Sequence, residues 1–425
     1  MTNGKLDTAR RRFVRQAGIA AAALLLPRPA RAAGKRVVIL GGGFAGAKVA
    51  STLVDLVPDA SLTLVERNAS FVPGPLVLPY LFGDAPLGAL RQSYGALAGR
   101  GIKVVRAEVR GVETARREVA TDEGRLGYDV LVVATGTRYV AGPGENVAAE
   151  CVSPYDRDNL EALKSRLRAF RGGDVVIAIS SASTMCPPAP YEFALLLAER
   201  IRRERLVGRI TLLDSGPAPR PAPLADLFAA ELKRQPDLIE YVASAGDVTR
   251  VDPGKRLVHT TDGEEARYDL IALFPNGAVA PWIPDLESSM AGDVYVGVDP
   301  LTMRSTRHAN VYALGDVARV PYGKSAFAAD VCAVRCAHAI AGDLGVPRGA
   351  LERAVSVACF PYVRSDGALA MHVDYEAGAT PGAPQVTSRA RVAPANAAGV
   401  AARRAWERRT LSATFGASAA TALAD

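Results

Sequence analysis

Aromatic side chains are scarce, at 6% of 425 residues, which argues against a surface that stacks nucleic-acid bases. No CxxC or CxxCH occurs among the five cysteines, so neither a zinc ribbon nor covalently attached c-type haem belongs to this chain. His338 lies two positions past Cys336 and cannot share a helix face with Cys332 and Cys336, so no metal site is expected. Beyond residue 32 no segment reaches about 18 uninterrupted apolar residues, so no membrane span is expected there. A lasting excess of charge is missing too. The formal net charge is +7, but residues 1–32 hold seven basic groups and one acid, and the remainder carries 44 Lys and Arg against 43 Asp and Glu. That leaves no electrostatic footprint for nucleic acid. What is abundant is core material: 49% hydrophobic and 22% charged residues exclude global disorder.

The basic leader has its own logic. Arg10-Arg11-Arg12-Phe13-Val14-Arg15 precedes an apolar stretch from Ala17 to Leu26 and then Ala30-Arg31-Ala32. A basic start, a short apolar run and an A-x-A site describe an export signal. The Arg-Arg-x-Phe core resembles a twin-arginine signal, with Ala9 where Ser or Thr is commoner. The expected location is the periplasm, an oxidising compartment where cysteines can pair.

Arg36 to Leu40 is a β-branched, apolar run that stops at Gly41-Gly42-Gly43-Phe44-Ala45-Gly46. A helical stretch follows, then a second strand, Ser61 to Val65, and Glu66 and Arg67. This is the strand, glycine turn, helix, strand, acid order of a dinucleotide-binding unit. Gly41 serves the tight turn, Gly43 the close approach of a pyrophosphate, and Gly46 the packing of helix on sheet. The N–H groups of Phe44 and Ala45 open the helix, where an anion is favoured. Glu66 stands where a carboxylate can accept bonds from ribose hydroxyls.

Two later strands, ending in Ala134-Thr135-Gly136 and Gly315-Asp316, resemble signatures of the two-dinucleotide-domain flavoprotein disulfide reductase superfamily. The resemblance implies that the nucleotide is FAD, with Asp316 on its ribityl chain. The middle of the chain repeats the first unit: Asp174 to Ile179 parallels the first strand and Ile210 to Asp214 the second. Relatives in that superfamily use this unit for NAD(P)H. Here the turn, Ser180 to Pro188, contains no glycine and ends in two prolines without N–H groups. The second site therefore reads as abandoned.

That turn carries Cys186-Pro187-Pro188-Ala189-Pro190-Tyr191-Glu192. Here the sequence resembles the flavoprotein subunit of flavocytochrome c sulfide dehydrogenase, a relative of the sulfide:quinone oxidoreductases. The resemblance implies a redox-active disulfide between Cys186 and Cys359, with Lys324 near the flavin and Glu192 as a proton carrier. It implies oxidation of sulfide, or of a polysulfide, and a separate c-type cytochrome as electron acceptor. Hydrosulfide would open the disulfide and leave a persulfide, and the released thiolate would need a lowered pKa. The family usually attaches FAD through a cysteine after the second strand; Gly74 stands there, so FAD should be non-covalent. A sulfide:quinone oxidoreductase and a non-catalytic FAD-binding subunit remain alternatives, as does an inert reading of the two cysteines.

The expected architecture is α/β, with two Rossmann-like dinucleotide-binding units plus a smaller C-terminal α+β domain. The boundaries are an export signal at 1–32, an FAD-binding domain at 35–150 and 268–345, a degenerate second unit at 151–267, and a C-terminal domain at 346–425 carrying Cys359. Cys332 and Cys336, one helical turn apart, are expected to pack in the core. Residues Gly216 to Pro223 are expected to form an extended loop, a surface arm; Ala377 to Ala398 form a Gly/Pro/Ala-rich stretch, and Val400 to Ser412 a helix with a solvated charged face.

Overall fold

The computed structural model describes residues 34–140, 144–181, 186–275, 277–286, 295–347, 351–377 and 386–416. The leader expected over 1–32 lies outside them, as do residues 182–185 of the second turn and 378–385 of the C-terminal stretch.

The first unit opens with β1 (Arg36–Leu40), α1 (Phe44–Leu56) and β2 (Ser61–Val65), followed by β3 (Lys103–Val105) and β4 (Val130–Val133). Val37 to Leu40 are at most 3% exposed, as an all-parallel strand covered on both faces requires. The second unit contains β5 (Gly172–Ile179), α2 (Ala189–Arg203), β6 (Val207–Asp214), β7 (Ile239–Val242) and β8 (Leu270–Phe274). Its sheet runs β7-β6-β5-β8, all parallel. The chain then returns to the first sheet as β9 (Val311–Ala313), giving the parallel order β3-β2-β1-β4-β9. The order reverses between β1 and β4, the crevice where ligands meet sheets of this kind. β8 falls on the far side of the expected boundary at 267/268: Leu270–Phe274 pairs with Val175–Ile179 and completes the second sheet.

After β9, Ser325 accepts a bond from the Ala328 N–H at 3.1 Å and starts α3 (Ala326–Asp343). Cys332 and Cys336 on α3 are 1% and 0% exposed, core packing as the sequence suggests. The C-terminal part is antiparallel: β10 (Ala354–Cys359), β11 (Tyr362–Arg364), β12 (Gly367–Ala377) and β13 (Val386–Asn396), with β12 paired to the other three. β13 lies within the Gly/Pro/Ala-rich stretch, which the sequence reading assigns to no element. Its sequence hides it, because nearly every side chain is exposed and Arg, Ala, Ser and Pro replace the usual strand formers. The last helix, α4 (Ala397–Phe415), is capped by Asn396, whose side chain accepts from the Gly399 N–H at 2.9 Å.

Two glycines fix the first turn. Gly41 has φ +98°, and a Cβ there would lie 2.5 Å from the Ala134 carbonyl oxygen. A Cβ on Gly46 would lie 1.9 Å from the Gly41 carbonyl oxygen, so α1 touches the turn backbone to backbone. Gly46→Ala is expected to cost roughly 1–3 kcal/mol through this overpacking. Thermal unfolding of the variant checks it; an unchanged Tm would show that the turn yields freely.

Candidate active site

The carboxyl ends of β1, β2, β4 and β9 bring together the nucleotide residues found in the sequence. The Gly42 N–H donates to Glu66 at 2.7 Å, and Asn68 donates to the other Glu66 oxygen from backbone and side chain, each at 2.8 Å. A carboxylate offers about four acceptor positions, so room remains for ribose hydroxyls. Arg67, beside it, is exposed. Gly43 caps α1 without any side-chain bond, and a Cβ there would meet only the Phe71 ring, at 3.7 Å. The helix start therefore faces open space with its N–H groups. Gly315 packs within 3.1 Å of the Ala45 Cβ when its own Cβ is built, which sets Asp316 beside the same helix start. Where β4 ends, past Ala134 and before Gly136, the Thr135 hydroxyl is buried with no partner among the described residues, as is that of Thr137. Buried polar atoms are rarely left unpaired. An anionic, hydroxyl-rich dinucleotide such as FAD fits the open helix start, the ribose carboxylate and these waiting hydroxyls.

Burial pushes the Asp316 carboxyl up, against the pull of Lys324 and Arg157. Lys324 is held by backbone: its Nζ donates to the Asp316 carbonyl at 2.6 Å and the Ala318 carbonyl at 3.1 Å, and stands 3.9 Å from the centre of the Tyr295 ring. Burial pushes it down, opposed by Asp316. Gly74 faces Arg157: a Cβ there would lie 3.1 Å from a guanidinium nitrogen that also belongs to the surroundings of Asp316. No short motif marks Arg157 in the sequence.

The two cysteines are more than 170 positions apart in the chain, yet they share one environment. Cys186 leads into α2 with φ +44°, an uncommon backbone for a side-chain-bearing residue, and its carbonyl accepts from the Tyr155 hydroxyl at 3.1 Å. Cys359 ends β10. Both are thiols in the structure. Burial first, then the charges of Cys359 and Glu192, drives the Cys186 thiol up; burial and Glu192 push Cys359 to about 12, and Arg403 opposes both. The expectation of a lowered thiol pKa is thus corrected: desolvation outweighs the one nearby cation.

Glu192 is neither exposed nor alone. It is 3% exposed, accepts from the Tyr362 backbone N–H, and takes a 2.5 Å bond from Arg403 of α4. Burial raises its pKa, with Arg403 pulling the other way. Arg403 also donates to the Phe360 carbonyl at 3.1 Å, the Pro75 carbonyl at 2.6 Å and Glu407 at 2.9 Å, and its guanidinium lies 4.2 Å from the Tyr362 ring centre. The face of α4 expected to be solvated therefore holds Arg403 and Glu407 at 8% and 3% exposure. A second tie runs from Glu199, two turns along α2, to the backbone and hydroxyl of Ser365 at 2.8 and 2.7 Å.

The second unit is closed by its own side chains. Asp214, at the ribose position of that unit, is fully buried and takes bonds from Tyr191 at 2.5 Å, Tyr241 at 3.0 Å, the Gly216 N–H at 2.9 Å and Arg220 at 3.3 Å. Arg220 comes from the proline-rich loop, which corrects the expectation of a surface arm: the loop folds inward onto Asp214 and the Ser180 carbonyl. Among the described residues no group of three or more His, Cys, Asp and Glu is placed to hold a metal.

The family model for the central part of the sulfide dehydrogenase (flavocytochrome c) flavoprotein chain matches residues 160–275, which span the second sheet including β8. A sequence of that name from Chlorobaculum thiosulfatiphilum is 54% identical over 41 residues, 10% of this chain and 85% of that one. The chain belongs to this flavoprotein family. It also shares 25% identity over 316 residues with the sulfide-quinone reductase of Aquifex aeolicus, covering 68% of this chain and 69% of that protein. The crystal structure of the Aquifex aeolicus sulfide:quinone oxidoreductase superposes with TM-score 0.73 at 20% identity, over 90% of this chain and 92% of that one, and so shares its fold. Members of such a family are flavin oxidoreductases, and the α/β architecture with Rossmann-type sheets is the one expected from the sequence.

The direction of the Asp316 shift gives a test. A carboxyl whose folded pKa is raised favours folding at low pH, and that contribution is lost as pH rises through the folded value. Asp316→Asn is therefore expected to raise the apoprotein Tm at pH 8 and to leave it unchanged below about pH 4, while weakening FAD binding measured by flavin fluorescence. Equal Tm values at pH 8 would contradict the assigned burial cost.

Proposed function

We propose that the chain is an exported, periplasmic sulfide dehydrogenase with non-covalent FAD. It oxidises sulfide to sulfur or polysulfide through a Cys186–Cys359 disulfide and passes electrons to a separate c-type cytochrome. The observation that carries this reading is the shared environment of two distant cysteines, both within reach of Glu192 and Arg403, with Asp316 of the nucleotide crevice also acting on Cys186.

Bound flavin supplies the ability to take an electron pair and release it one electron at a time. The start of α1 binds the pyrophosphate, Glu66 the ribose and Asp316 the ribityl chain. Lys324, held by the Asp316 and Ala318 carbonyls, would supply positive charge to a bound flavin. Hydrosulfide attacks one sulfur of the disulfide, and a persulfide forms on that cysteine as the other leaves as thiolate. Glu192 moves the proton. The non-covalent state of FAD follows from Gly74, which has no side chain to bond. The closed Asp214 network supports sulfur rather than NAD(P)H as the electron source.

The names of the longer relatives favour quinone as a second acceptor reading. No helix among the described residues is long and apolar enough to cross a membrane. Assay of the reduced protein against cytochrome c and against a soluble quinone separates the two.

Anaerobic titration with sulfide is expected to bleach the flavin absorbance of the purified protein. Cys186→Ser and Cys359→Ser should each abolish bleaching while FAD content stays normal. Bleaching by NADH, or bleaching that survives both substitutions, would overturn the reading.

A further inference from the structure

The charges buried next to the cysteines do not balance. One guanidinium, that of Arg403, binds both Glu192 and Glu407, and the two carboxylate side chains are each 4% exposed. A second carboxylate buried against a single cation favours a form in which the pair keeps one proton. Two bonds of Arg403, to Glu192 and to the Phe360 carbonyl, reach the segments that carry the cysteines, and a third reaches Pro75. Glu192 lies on the helix that Cys186 begins, Phe360 follows Cys359, and Pro75 follows Gly74. Its charge reaches both sulfurs.

We propose that Arg403 and Glu407 belong to the sulfur site. Arg403 is the positioning residue that sets Glu192 and both cysteine segments in place, and Glu192 and Glu407 jointly carry one proton for the thiolate freed when the disulfide opens. This rests on the sulfide reading above. In the step itself, the Cys–Cys S–S bond breaks as hydrosulfide forms a new S–S bond with one cysteine. The electron pair of the broken bond leaves on the other cysteine as thiolate. That thiolate takes the proton, and the carboxyl pair becomes doubly ionised around Arg403. The exchange itself is redox-neutral overall, because the sulfur atoms keep all their electrons.

The groups facing the triad are known from each element packed on it. Tyr362 of β11 lies under the guanidinium, and exposed Arg404 of α4 lowers the Glu407 pKa. Glu192 raises both thiols, and Cys359 and Asp316 add to the rise at Cys186. Removing a charge from the triad should therefore move the thiols in a direction fixed by its sign.

The test uses the FAD-loaded protein, reduced anaerobically with dithiothreitol and alkylated with iodoacetamide across a pH series, with Cys186 and Cys359 read by mass spectrometry. Glu407→Gln takes away the negative charge that the pair gains when it gives up its proton, and is expected to lower the alkylation midpoint. Arg403→Met removes positive charge and is expected to raise it by about one unit, a rate roughly tenfold slower at neutral pH. Arg403→Lys keeps the charge but not the planar fork, so it should keep the midpoint if Arg403→Met fails to fold. Shifts of opposite sign support the proposal. Equal shifts, or none, in a protein that sulfide still bleaches would overturn it. Opposite shifts in a protein that sulfide does not bleach would leave the triad standing and remove the sulfide reading.

Discussion

Four stretches of chain converge on the guanidinium of Arg403. The loop after β2 contributes the Pro75 carbonyl, α2 contributes Glu192, the turn after β10 contributes the Phe360 carbonyl, and α4 contributes Glu407. An arginine suits this work because its planar fork offers several fixed donors and stays charged when buried. Without it, two carboxylates would face each other in a dry interior. With it, the C-terminal sheet, the second unit and the FAD-binding part hold one arrangement around the cysteines.

Much of this was legible in the sequence, and the reasons are local. The turn from Gly41 to Gly46 shows itself because only glycine fits against the Ala134 and Gly41 carbonyls, so the chemistry of the turn is written in residue type. The strands of the parallel sheets show themselves because burial on both faces demands an unbroken apolar run. Cys186 and Glu192 show themselves because their surrounding prolines make an unusual local pattern. Arg403, Glu407 and Arg157 follow no such pattern. Their roles come from contacts across the fold, and an Arg-rich helix reads the same whether its charges meet water or a buried carboxylate. β13 was hidden for a related reason: its pairing is all backbone, and its side chains face outward.

In the second unit the parallel sheet ends its second strand in Asp214, and two tyrosines and Arg220 occupy that carboxylate. Tyr191 is the neighbour of Glu192 on α2. The Tyr191–Asp214 bond therefore also anchors the helix that carries Glu192 to Arg403.

The order of the segments along the chain has a consequence for biogenesis. Translation delivers Arg403 only after Pro75, Glu192 and Phe360 have all been made, so each waits for a partner that emerges late from the ribosome. A nascent chain can build both parallel sheets before Arg403 is made, but the surroundings of the two cysteines are complete only once α4 has followed. Loss of α4 would thus remove an internal keystone.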